Sequence, residues 1–90
     1  MNTIATPAIR HTDVTNTYAG AEGCACGCNG IYSKTGATLT RRVNTVNLAI
    51  ANGEYVATYA YSDEVVYEYT KPNGRIIRIY VDKTAYVANN

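Results

Sequence analysis

The apolar pattern changes period at Asn52-Gly53, and that change points to a fold class in which one helix packs on a sheet. Before the break, Leu39, Val43, Val46 and Ile50 recur at spacings of four, three and four, which aligns them along one side of a 3.6-residue period. This predicts an amphipathic helix over residues 38–51. Ser33, Thr35 and Thr38 are its N-cap choices, and Asn52-Gly53 its stop. Leu48 falls on the opposite side of that helix, in line with Arg41 and Asn44. After the break the chain reads with period two and β-rich composition. Strands are expected over 54–62 and 64–71, joined at Ser62-Asp63, then over 75–81 and 84–88. Pro72-Asn73-Gly74 is the strongest turn signal, because proline pre-sets φ and Asn-Gly accepts positive φ.

Short links between consecutive strands favour an antiparallel meander. An amphipathic helix and a sheet each need a partner for their apolar side. The expected architecture is therefore a single α+β domain of 90 residues. One amphipathic helix lies on a small antiparallel sheet of three to five strands, preceded by an N-terminal strand over 13–18 and a Cys/Gly-rich loop over 19–30. Residues 1–12, interrupted by Pro7, read as an extended arm. On the 75–81 strand, Ile77, Ile79 and Val81 share the side with Arg75 that is expected to face the helix. Ile76, Arg78 and Tyr80 take the other side, beside Glu68 and Tyr86.

The chain holds nine tyrosines and no Phe or Trp, so every large ring carries a hydroxyl that needs water or a hydrogen-bond partner. Half-exposed strand positions and interfaces both suit such rings. Eight basic residues face seven acidic ones, for a net charge of +1, which is not the concentrated basic field of a nucleic-acid module. No apolar run is long enough to span a bilayer, and residues 1–10 lack a secretory pattern. The composition fits a reducing, intracellular setting.

The three cysteines stand at every other position in Gly23-Cys24-Ala25-Cys26-Gly27-Cys28-Asn29-Gly30. An odd, clustered set is a poor disulfide framework, and the spacing departs from the Cys-x2–4-Cys turns of zinc sites. A metal site on Cys24, Cys26 and Cys28 would need a fourth ligand, with His11 or Asp13 as candidates. The alternatives are a tightly packed structural loop and a reactive thiol. No cofactor is expected, with zinc left open. Catalysis finds little support: His11 is the single histidine, and Glu54, Asp63, Glu64, Glu68 and Asp82 read as surface charges beside strands. No glycine-rich phosphate loop is present.

The segment from Tyr18 through the cysteine run to Tyr32-Ser33 resembles a group of small tailed-bacteriophage proteins of unknown function. In these a Thr-Tyr-x-Gly opening leads into Cys-x-Cys-Gly-Cys-x-Gly and then a Tyr. Thr17-Tyr18-Ala19-Gly20 and Cys26-Gly27-Cys28-Asn29-Gly30 match that pattern. The match is sharp over residues 17–33 and elsewhere follows only the order of elements, with a Tyr-Val-Ala-like end comparable to Tyr86-Val87-Ala88. Ala25 departs from the Met common in the relatives, and the strand region is longer here. The resemblance implies viral origin and an accessory role, and carries no established activity.

These readings converge on a non-enzymatic phage accessory protein that binds a host macromolecule in the host cytoplasm, as an anti-defence, anti-CRISPR-like inhibitor. Candidate contact residues are Tyr80, Tyr86, Arg78, Arg41, Arg42 and Leu48. The first alternative is a zinc-organised nucleic-acid module using Lys34, Arg41 and Arg42 against phosphate. The second is a minor virion component. Homodimerisation is left open.

Overall fold

A computed structural model of the chain describes residues 8–21 and 31–84. Cys24, Cys26, Cys28 and Tyr86 lie outside the described residues. Five strands and one helix follow in the order β1 (Val14–Ala21), β2 (Ile31–Ser33), α1 (Gly36–Ala51), β3 (Ala57–Ala60), β4 (Glu64–Thr70) and β5 (Arg75–Asp82), with a short 3-10 turn at His11–Asp13 before β1. The strands form one sheet in the order β2-β1-β5-β4-β3, and each neighbouring pair is antiparallel. This is the expected α+β arrangement, a helix on an antiparallel sheet.

The edge strands explain why the helix covers a face. β2 and β3 lie at opposite edges, so α1 must carry the chain across the whole sheet. Four inter-strand steps span roughly 19 Å, and a 16-residue helix is roughly 24 Å long. The helix turns Leu39, Val43, Val46 and Ala49 into the core, with Ile50 partly buried beside them. Opposite stand Val65, Tyr67 and Tyr69 of β4 and Ile77, Ile79 and Val81 of β5. Val43, Val46 and Ile79 are fully buried, and each such side chain contributes roughly 1.5–3 kcal/mol relative to exposure. Tyr69 enters this core because its hydroxyl donates to Glu54 Oε1 at 2.7 Å.

The helix stop is as read. Gly53 has φ +77°, its N–H bonds to the Ile50 carbonyl at 3.1 Å, and Glu54 N–H reaches back to Ala49 at 2.9 Å. That pair of bonds is a Schellman closure, which requires a left-handed residue where Gly53 sits. The start differs: α1 opens at Gly36, two residues early. Thr35 holds the cap position without a side-chain cap bond. In the 71–75 turn only Gly74 takes positive φ, and Asn73 accepts the Arg75 N–H through its side chain instead.

Several boundaries move. β1 begins one residue late, because Asp13 belongs to the 3-10 turn, and runs on to Ala21, since Ala19, Gly20 and Ala21 pair with Ile77, Ile76 and Arg75. β3 contracts from 54–62 to Ala57–Ala60, the stretch that has a partner on β4. Lys83 and Thr84 form a helical turn rather than opening a strand, and residues 85–88 of that expected strand lie outside the described residues. In the described part of the arm, Arg10 has extended backbone leading into the 3-10 turn. Ile9 is buried in the core cluster, and its backbone is held by the Asn47 side chain.

Candidate functional site: the open face of the sheet

With the helix on one face, strand parity decides what the other face shows. The β1–β5 and β4–β5 registers set Tyr18 beside Arg78 and Arg78 beside Glu68, while β2 adds Tyr32 opposite Tyr18. The next row runs Asn16, Tyr80, Val66, Tyr59. Tyr18, Tyr32, Tyr59 and Tyr80 therefore share one face around the Arg78–Glu68 ion pair. The helix-facing rings, Tyr67 and Tyr69, are buried.

The contacts on this face are close. The Tyr18 and Tyr32 ring centroids are 4.8 Å apart, tilted by 51°, and Tyr32 and Tyr80 are 6.3 Å apart at 42°. These are tilted aromatic pairs of the favourable kind. The Arg78 guanidinium carbon lies 5.1 Å from the Tyr18 centroid, within cation–π range. Its Nε donates to Glu68 Oε2 at 2.7 Å. That bond raises the Arg78 pKa above its ordinary value. Burial, followed by the hydrogen bond with Tyr32, pushes the Tyr80 phenol up to about 12. Tyr18, Tyr32 and Tyr80 are held by one another, yet the face remains open to a partner: Tyr32 is 58% and the neighbouring Tyr59 45% exposed.

The residues singled out from the sequence fall on different surfaces. Tyr80 and Arg78 lie on the open face beside Glu68, as parity implied. Arg41 and Leu48 lie on the outer side of α1, lining a shallow hollow with Asn44, on the other side of the molecule. Leu48 is 63% exposed. Arg42 turns toward the sheet edge and donates to the Ile31 carbonyl at 2.9 Å. Its pKa is lowered by partial burial and then by the neighbouring charges of Arg41 and Arg75.

His11 sits in the 3-10 turn with Nε2 3.0 Å from Asn44 Oδ1, so it borders the helix. Among the described residues no cluster of three His, Cys, Asp or Glu is placed to hold a metal.

Tyr18, Tyr32 and Tyr59 were not singled out by residue type. One signal was available for the first two: they flank the cysteine run, which invites a hairpin pairing them across β1 and β2. No helix among the described residues is long and apolar enough to cross a membrane. Comparison with protein-family models, with curated proteins and with solved structures finds no match.

Proposed function

We propose that this is a phage-encoded, non-enzymatic accessory protein that binds a host protein in the host cytoplasm, in the manner of an anti-defence inhibitor, through the open face of its sheet. The observation that carries the reading is the ring cluster Tyr18–Tyr32–Tyr80 built around Arg78–Glu68 on a face that the helix leaves uncovered. Tyrosine and arginine are the residue types that anchor protein interfaces, because each combines a large contact area with a polar tip. Rings already packed against one another lose little side-chain entropy on docking. The phage setting rests on the resemblance of residues 17–33. The described ends of that segment form the β1–β2 hairpin and supply Tyr18 and Tyr32 to the cluster.

The test is capture of a host protein from lysates of defence-competent strains by the tagged protein and its variants. Tyr32→Ala and Tyr59→Ala are expected to weaken capture by roughly tenfold or more, the scale of an interface anchor. Leu48→Ala and Arg41→Ala, on the far side, are expected to leave it unchanged. No partner above background, or loss confined to the helix variants, overturns the proposal.

A second reading, contact of Lys34, Arg41 and Arg42 with nucleic-acid phosphate with zinc organising the cysteine run, draws on the like charges of Arg41 and Arg75 that neighbour Arg42. It requires binding that weakens steeply with salt and stoichiometric zinc in protein purified without chelator.

A further inference from the structure

β3 forms one edge of the sheet, and among the described residues it pairs only with β4. The Tyr61 N–H donates to the Glu64 carbonyl at 2.8 Å, so these two residues form a hydrogen-bonded pair across the hairpin. Bonded and non-bonded pairs alternate along an antiparallel ladder. Counting back through the register, Tyr59–Val66 and Ala57–Glu68 are bonded pairs, while Ala60–Val65 and Thr58–Tyr67 are not. The backbone N–H and C=O groups of Thr58 and Ala60 therefore point away from β4, outward from the sheet.

Folded proteins guard such an edge with charge, proline, a bulge or a covering segment. From Tyr55 to Ser62 the chain has no charged residue and no proline, and the β3–β4 register runs without a shift. Thr58, Tyr59, Ala60 and Tyr61 are all exposed. The opposite edge is treated differently: Arg42 takes up the Ile31 carbonyl of β2 at 2.9 Å. Tyr59 also stands outside the ring cluster, since the ring pairs of the open face join Tyr18, Tyr32 and Tyr80.

We infer that β3 pairs antiparallel with β3 of a second copy of this chain, about a two-fold axis between the two Tyr59 residues. In that register Thr58 of each copy faces Ala60 of the other, and their outward groups exchange N–H···O=C bonds in both directions. The Tyr59 rings meet at the non-bonded position, where side chains come closest, as a cross-strand aromatic pair. A second copy is the occupant that fits. An uncharged edge selects no charged peptide, whereas β3 is its own complement in length, polarity and register, with no like charges opposed within 55–62. A net charge of +1 sets little repulsion between copies, and a two-fold contact closes at the dimer. The two five-stranded sheets then run on as one, with both helices on one side and both open faces on the other. This assembly goes beyond the host-binding reading and does not depend on it.

Sedimentation equilibrium of the purified protein from roughly 10 to 500 µM spans the self-association of a small interface. The average mass is expected to rise from monomer toward dimer and no further, with the Thr58 and Ala60 amides gaining exchange protection as it does. Tyr59→Lys and Tyr59→Glu each set like charges opposite one another across the axis and are expected to weaken association by roughly tenfold or more. An equimolar mixture of the two is expected to restore it as a heterodimer, which an unfolded variant cannot do. A monomer at every concentration, association that survives Tyr59→Lys, or a mixture that stays monomeric overturns the inference. A chain that is monomeric alone, with Thr58 and Ala60 protected only on a captured host protein, assigns the edge to a host strand and also overturns it. The charge-paired dimer with no host protein captured upholds the inference and defeats the host-partner reading alone.

Discussion

Asn47 holds Ile9 by both halves of its backbone: the Ile9 N–H donates to Asn47 Oδ1 at 2.7 Å and Asn47 Nδ2 donates to the Ile9 carbonyl at 2.9 Å. The residues are 38 positions apart, and the clamp brings a buried isoleucine from the arm into the core over the second half of α1. An extended segment outside the sheet has no ladder to satisfy its backbone, and an amide side chain supplies one donor and one acceptor in its place. His11 follows two residues later against Asn44, one helical turn back from Asn47.

Removing the clamp leaves a part-buried N–H and carbonyl without partners. Asn47→Ala is expected to destabilise the fold by about 1–3 kcal/mol, read by urea unfolding, with amide exchange at Ile9 accelerated more than at Val43. Asn44→Ala, which removes only the exposed contact to His11, is expected to stay within about 0.5 kcal/mol of the parent. Equal losses from the two variants would show that the arm gains nothing from the bidentate contact.

Alkaline stability tests the ring cluster. The Tyr80 pKa is raised by burial first and by its hydrogen bond with Tyr32 second, to about 12, and that of Tyr69 is raised chiefly by its hydrogen bond to Glu54. A free phenol ionises near about 10, so the folded state holds these protons more tightly than the unfolded state. The contribution is fully present below pH of about 10 and is lost as pH rises through the folded Tyr80 value of about 12. Stability should fall across that window, with tyrosinate absorbance appearing last from Tyr80 and Tyr69. Tyr80→Phe should flatten the fall, and an unchanged slope would count against the half-buried, hydrogen-bonded phenol.

The stop of α1 depends on one backbone conformation. A Cβ built on Gly53 meets nothing within 4 Å, so its φ of +77° is the whole cost of substitution. Gly53→Ala should destabilise by about 1 kcal/mol and Gly53→Asn by less, since asparagine tolerates the left-handed region. Chemical denaturation with unchanged m-value is the check. A neutral Gly53→Ala would mean that the helix can end another way.

Local order was legible in the sequence. The four-three-four spacing from Leu39 to Ile50 marked the helix, and Gly53 its end. The parity of Ile77, Ile79 and Val81 marked the covered side of β5, leaving Arg78 and Tyr80 on the other. Each of these patterns follows from backbone periodicity, which repeats side-chain direction every two or 3.6 residues among neighbours in the chain. Strand parity alone did not show that β1 lies between β2 and β5, and hence that Tyr18 meets both Tyr32 and Arg78. Nor did it show that Glu64 opposes Asp82, or that Arg41 and Leu48 lie on the other side of the molecule from Tyr80. Strand order and register are set by hydrogen-bond ladders and packing between segments tens of residues apart, and these leave no periodic trace in either segment alone. The chain's own pattern settled which residues turn inward on each element. Which outward-facing rings and charges become neighbours was settled when the helix crossed from β2 to β3 and left the other face of the sheet open.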